Sequence, residues 1–336
     1  YAESTDLAGN LGSAGLNFTV DRTPPAIVAE IVSDNAINDN WAKLGDTITL
    51  TMTMDASTNR PTVTFKSNNA AVTDATVTYD PAGGVSNKWT ASYDVNSLDT
   101  DGEVSISIDV NDLANNPTTG YTTISGDTVT VDKVVPSVVS TELSGNNFLQ
   151  PTTLITVGDT VKLSIVMDAS TNEPTVTFKS GGDDLNGTVT YTNTDAKNWI
   201  ASCDISSGDT DGAITIDLSV NDLADNWLSG HTLIDTGSLT VDVTPPAAPT
   251  IASSWGDYLY IASDNAITDE TPGKITVTTT SADGYQAFLK FNGTNHNDGV
   301  GVALVAGAAE FNITDANPSN LTNGTVNVEA YVIDDA

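Results

Sequence analysis

Apolar residues in this chain recur at every second position in short runs, and no stretch of similar length carries them at helical spacing. Ile48, Leu50, Met52 and Met54 alternate with threonines, and Val161, Leu163, Ile165 and Met167 repeat the phase. The same alternation marks Val104, Ile106, Ile108 and Val110, then Ile214, Ile216, Leu218 and Val220, then Val326, Val328 and Val332. Side chains of a strand point to opposite faces in turn, so a period of two predicts strands with one face in a core. In the first full stretch the runs predict strands near 26–32, 47–54, 61–66, 72–80, 88–95, 103–110 and 124–131, separated by Gly, Asn and Asp turns.

The runs also repeat on a larger scale, with a period near 110 residues. MDASTN at Met54 to Asn59 returns at Met167 to Asn172, PTVTFKS at Pro61 returns at Pro174, and DTDG at Asp99 returns at Asp209. Asp6, Asp112, Asp222 and Asp334 each end a strand-like run, and the first three open DLAGN, DLANN and DLADN. Proline-bearing joints close the units: VDRTPP from Val20, VDKVVP from Val131 and VDVTPP from Val241. The predicted architecture is all-β, with tandem immunoglobulin-like sandwiches of about seven strands each in an extended rod. Its expected boundaries are 1–22 for the last strands of a preceding repeat, 23–132 and 133–243 for two full repeats, and 244–336 for a repeat lacking its last strand. Trp89 and Trp199 fall on the inward phase with Ala91 and Ala201, Phe311 takes that part in the third unit, and Cys203 replaces Tyr93.

Charge narrows the partners. Lys and Arg number 11 against 44 Asp and Glu, a formal charge of −33, which opposes binding to nucleic acid or to anionic lipid surfaces and favours cations. No apolar window is long enough for a membrane helix, so direct membrane insertion is not expected. The single cysteine, Cys203, excludes an intramolecular disulfide, and with a surface rich in Thr, Ser, Asn and Asp it points to an extracellular or cell-surface bacterial protein. The opening YAESTDLAGN has neither an initiator Met nor a leader pattern and reads as the interior of a longer array. Alternatively, residues 1–22 would complete the open third unit of another copy by strand addition, making a filament.

The Asp6 to Asn10 segment with Val20 to Pro25 resembles the D-x-A-G-N and V-D-x-T-P-P elements of the bacterial Ig-like repeats of large secreted adhesins. Asp112 to Asn116 lacks the Gly, and Lys133 to Val135 depart from T-P. The resemblance implies an extended surface stalk stiffened by calcium, with surface glycans or receptors bound through regions elsewhere.

Calcium requires six to eight oxygens, so candidate sites are places where several Asp and Asn side chains converge. In a seven-strand sandwich the second-to-third and sixth-to-seventh strand loops share a pole with the incoming linker. The joint before the first full unit therefore predicts a Ca²⁺ site from Asp21, Asp55, Asn59, Asp112 and Asn115. The next joint predicts Asp132, Asp168, Asn172, Asp222 and Asp225, and the third predicts Asp242 and Asp334 with Asp283 as a further ligand. Against this stands the ordinary use of Asp and Asn in turns, where the side chain bonds nearby backbone. A second acidic cluster lies toward the opposite pole, with Asp34 and Asp39 in SDNAINDN and the related SDNAITDE at Asp264 and Asp269.

Enzymatic readings are weak, and no catalytic residue is assigned. IDTGSL at Ile234 to Leu239 matches the D-T-G-S of aspartic proteases, but it occurs once, and two such carboxylates are needed. His231, His296 and Cys203 lack spaced metal partners. Trp41, Trp227, Trp255 and Tyr258 are candidate sugar platforms for a carbohydrate-binding module, though they do not recur between units.

Overall fold

The chain alternates between two sheets in the same order in its first two full periods. The computed structural model describes residues 2–72, 77–81, 84–146, 153–253, 273–280, 285–296, 299–313 and 327–333. It opens with a hairpin of β1 (Ala2–Thr5) and β2 (Leu11–Ala14). In the first sandwich one sheet runs β3 (Ile27–Ser33), β5 (Thr47–Thr58), β9 (Ser86–Asp94), β8 (Thr78–Asp80) in spatial order. The facing sheet runs β4 (Trp41–Ala42), β12 (Thr130–Val131), β10 (Gly102–Asn111), β6 (Thr62–Ser67), β7 (Ala70–Ala71). A further arm, β11 (Pro117–Tyr121), pairs with the end of β10.

The second sandwich copies this order strand for strand. One sheet is β13 (Val138–Gly145), β15 (Thr160–Met167), β19 (Asn198–Asp204), β18 (Thr190–Asp195). The other is β14 (Leu154–Ile155), β22 (Thr240–Val241), β20 (Gly212–Asn221), β16 (Thr175–Ser180), β17 (Asp183–Asp184), with β21 (Trp227–His231) against β20. In the third, β23 (Thr250–Ser253), β24 (Gly273–Thr278) and β28 (Ala308–Ile313) form one sheet. Its partner centres on β25 (Gln286–Phe291), which pairs with β26 (Thr294–Asn295), β27 (Val302–Ala303) and β29 (Val328–Ile333). In the first two sandwiches the first, second, fifth and fourth long strands form one sheet and the third, sixth and seventh the other, the immunoglobulin-like arrangement; in the third, β27 joins β25 in the opposite sheet.

Alternation places the core. Ile48, Leu50 and Met52 are fully buried and lie opposite Tyr93, Ala91 and Trp89, while Val161, Leu163 and Ile165 lie opposite Cys203, Ala201 and Trp199. Cys203 thus occupies the register position of Tyr93, whose ring lies 4.8 Å from that of Phe65, tilted by 51°. The indoles are tethered as well as packed: Trp89 Nε1 donates to Thr58 Oγ1 at 3.1 Å and Trp199 Nε1 to Thr171 Oγ1 at 3.0 Å. Phe311 is buried in the third core with Ile275 and Val277.

Two features differ from the strand pattern read in the sequence. The expected last strand, 124–131, is laddered over Thr130–Val131 alone, and a separate arm over Pro117–Tyr121 precedes it. The chain also changes sheets after β3, and β4 pairs in parallel with β12, Trp41 beside Thr130 and Ala42 beside Val131. A two-residue strand carries no periodicity to detect.

Candidate functional site

The recurrent D-L-A-x-N segment folds the same way three times, as the turn that leads from the sixth long strand into its returning arm. In the first copy the Asp6 carboxylate accepts the Ala8 and Asn10 N–H groups at 2.8 and 3.0 Å and the Asn10 side-chain amide at 2.9 Å. Asp112 accepts from the Asn116 N–H and amide at 2.7 Å each, and Asp222 accepts from Ala224 N–H, Asn226 N–H and the Asn226 amide at 2.9 Å each. The Asn10 and Asn116 amides foremost hold Asp6 and Asp112 below the usual carboxylate range. The fourth position of each turn is left-handed, with φ of 81° at Gly9, 68° at Asn115 and 67° at Asp225. Gly, Asn and Asp are the residues that tolerate this conformation.

The predicted calcium ligands sit around these turns. Asp55 accepts from the Ala26 N–H at 2.9 Å, and its counterpart Asp168 accepts from the Ser137 N–H at 2.8 Å and hydroxyl at 2.6 Å, so each fastens the first strand of its sandwich to the end of the second. The Ser137 hydroxyl is the main reason Asp168 lies below the usual range. Asn59 and Asn172 donate to the Asp112 and Asp222 carbonyls at 3.4 and 2.8 Å, tying the second-to-third strand loop to the turn. Asp21 and Asp132 accept from the N–H two residues on, at 3.0 Å each. Linker and turn meet where Asn226 donates to the Asp132 carbonyl at 3.0 Å. Burial, with the carboxylates of Asp222, Asp101 and Asp168, pushes Asp132 up despite the Val134 N–H it accepts. Asp225 is held down: burial raises it, and hydrogen bonds from Lys43, Asn221 and Trp227 more than offset that. Asp283 and Asp334 lie outside the described residues. Among the described residues no group of three or more His, Cys, Asp or Glu side chains is arranged to hold a metal ion.

Several residues outside the predicted calcium sets act at the joint between the first two sandwiches. Lys43 Nζ meets Asp225 Oδ2 at 2.7 Å, and Asn35 Nδ2 donates to the Ala224 carbonyl at 2.9 Å. Asp46 organises both, accepting from Asn35 Nδ2 at 2.8 Å and from the Lys43 N–H at 2.9 Å. On the linker side Lys133 Nζ donates to the carbonyls of Asp99 and Ser97 and lies 3.6 Å from Asp101. The loop of the second acidic cluster faces the following joint: Asp34 accepts the Thr47 N–H at 2.7 Å within its own unit, and the neighbouring Asn35 makes the crossing. The signals in the sequence were the exchange of Lys43 for Thr156 between the related turns K-L-G-D and T-V-G-D, and Asp225 where the other turns have Gly9 and Asn115.

The enzyme-like motif has a structural explanation. Asp235 accepts from the Thr141 N–H at 2.7 Å and hydroxyl at 3.2 Å, strapping the segment before β22 to β13. Gly237 has φ of 84°, and a Cβ there would lie 2.0 Å from the Leu143 carbonyl oxygen, so the D-T-G spacing serves this close approach. Asp99 and Asp209 are likewise buried in the D-T-D-G turns, which they close on Asn96 N–H at 2.9 Å and Ser206 N–H at 2.7 Å. Trp227 is 56% exposed with Nε1 bonded to Asp225 at 2.9 Å, while Trp255 and Tyr258 lie outside the described residues.

No family model matches the chain, and no curated relative matches it. Among solved structures, the titin I-band fragment I67–I69 is 11% identical, with 93% of this chain and 94% of that chain covered and a TM-score of 0.38. A marsupial T cell receptor is 12% identical over 91% of this chain and 99% of its own, with a TM-score of 0.36. The ICAM-5 D1–D4 ectodomain fragment is 15% identical over 90% of this chain and 75% of its own, with a TM-score of 0.32. Overlaps this loose bear no weight on role; strand order identifies the sandwich. Among the described residues no helix is long and apolar enough to cross a membrane.

Proposed function

We propose that this chain is a non-enzymatic, load-carrying section of an extracellular stalk, in which tandem sandwiches separate what is held at one end from what is held at the other. The observation that carries this reading is the contact between successive units: the leading turn of the second sandwich, Asp222 to Asn226, is bonded by Asn35 and Lys43 of the first and by Asn226 to the linker carbonyl of Asp132. Repeats that touch only their neighbours make a quasi-one-dimensional object whose stiffness resides in its joints.

Calcium at the acid-rich joints is part of this proposal. Its support is the charge of −33 and the rise of Asp132 under burial and the pressure of three neighbouring carboxylates, a repulsion that a divalent cation would relieve. Coordination would draw on carboxylate and carbonyl oxygens of linker, loop and turn, and binding to the folded state would add stability in proportion to the logarithm of free calcium. Small-angle scattering and thermal melting of the 336-residue chain in millimolar calcium and in excess chelator test it. A longer, stiffer envelope with a higher melting point in calcium is the expected result. Superimposable curves would remove calcium from the account, and a collapsed, broadly distributed envelope in both conditions would remove the stalk.

A further inference from the structure

Resting on the stalk reading, we infer that the joint between the first and second sandwiches carries its own cation, the Lys43 ammonium, and is already held in one geometry before any divalent ion binds. Lys43 Nζ lies 2.7 Å from Asp225 and 3.9 Å from Asp46, with its side chain 30% exposed and those carboxylates 18% and 14% exposed. Asp225, Asp46 and Asp222 all act on it. A tethered ammonium therefore stands among the joint's carboxylates. The lysine is aimed before it binds: Asp46 fixes its backbone N–H and, with its other contact, orients Asn35 for the second crossing bond.

The docked surface is the leading turn of the second sandwich, where Asn221, Ala224 and Asn226 are buried. The partner is selected by one residue. Only DLADN carries a carboxylate at the left-handed fourth position; DLAGN and DLANN present Gly9 and Asn115 there. Lys43 thus specifies a following repeat whose turn reads D-L-A-D-N, and Asn221, donating to Asp225 Oδ1 at 2.9 Å, turns that carboxylate toward it.

The test places spin labels at Thr64→Cys and Thr175→Cys in the full chain with Cys203→Ala, and reads the distance distribution between the two sandwiches in excess chelator. The parent chain should give a narrow distribution, unchanged by calcium. Lys43→Met and Asp225→Asn should each broaden it toward the ~13 Å scale of a six-residue flexible linker, with tryptophan fluorescence showing both sandwiches still folded. Equal widths in parent and variants would overturn the lysine's role. A parent distribution that is broad in chelator and narrows only with calcium would overturn the inference while sparing the stalk, and one that is broad in both would overturn both.

Discussion

The two joints that follow full sandwiches open with related V-D linkers, VDKVVP and VDVTPP, yet their charged groups are arranged differently. At the first, Lys43 faces Asp225 and Lys133 faces Asp101. At the second, Thr156 and Val243 stand in those positions, and Asp211 is satisfied by the Val243 N–H at 2.7 Å. An open cleft of 690 Å³ lies there, with Asp211, Asp242, Thr244, Pro245, Thr280 and Tyr285 among its walls. Related sandwiches on either side of a linker therefore do not imply equal joints; lysines stand beside the carboxylates at the first, and Thr156 and Val243 replace them at the second.

Removing the turn that the first joint grips should have the largest effect. Asp222 is 2% exposed and accepts three hydrogen bonds, so Asp222→Ala leaves buried donors without an acceptor and should cost the second sandwich roughly 2–3 kcal/mol in urea unfolding, with or without calcium. A loss seen only in calcium would instead make Asp222 a metal ligand. Asp46→Ala comes next: it frees both Asn35 and Lys43, and a cost of about 1–2 kcal/mol to the first sandwich is expected, together with loss of the fixed angle at the first joint and none at the second.

The ion pair itself is worth less. A double-mutant cycle on Lys43→Met and Asp225→Asn should return a coupling of about 0.5–1 kcal/mol, because the pair is part-exposed and screened. Raising ionic strength should shrink that coupling; a value near zero at low salt would make the contact incidental. The smallest change expected is Val243→Lys, which sets a lysine opposite Asp211 and should stiffen the second joint by about 0.5 kcal/mol at most.

Acidity separates the joints qualitatively. Asp225 is held low by Lys43, Asn221 and Trp227 against its burial, so its contribution is present above its unfolded value and is lost as pH falls through the lower folded one. Lys43 is raised above 10.5, first by its bond to Asp225, so its contribution is present below that value and is lost as pH rises through the folded one. Asp211, lowered by Thr244 and the Val243 N–H, gives the second joint the acid limb without the alkaline one. Label-to-label distances followed from acid to alkaline pH should show the first joint loosening at both extremes and the second loosening only in acid.

Much of the fold was legible because a buried sheet face forces period two. Ile48 to Met54 and Val161 to Met167 read directly as core strands, and the repeated Trp, Ala and Tyr or Cys positions fell in register. What escaped was short or unrepeated: β4 and β7 span two residues each, and Lys43 does not recur. The candidate metal residues were ambiguous for a physical reason. The same Asp and Asn side chains that could surround calcium are those that close turns on their own backbone, and Asn115 and Asp225 also supply the left-handed residue. Sequence alone does not separate these uses, since both favour the same residue types at the same spacing.

The parallel pairing of β4 with β12 has a mechanical consequence. Tension applied through the two ends of a sandwich enters near β3 and β4 and leaves through β12, directed along these adjacent strands. The bonds from Thr130 N–H to the Asn40 carbonyl and from Asp132 N–H to the Ala42 carbonyl, both 2.9 Å, are then strained sideways and must yield together with the buried Ala42 and Val131, not one after another as in a zipper. The second sandwich repeats the clasp with β14 and β22, Leu154 beside Thr240 and Ile155 beside Val241, so both of these units resist shear at the strand that continues into the next linker.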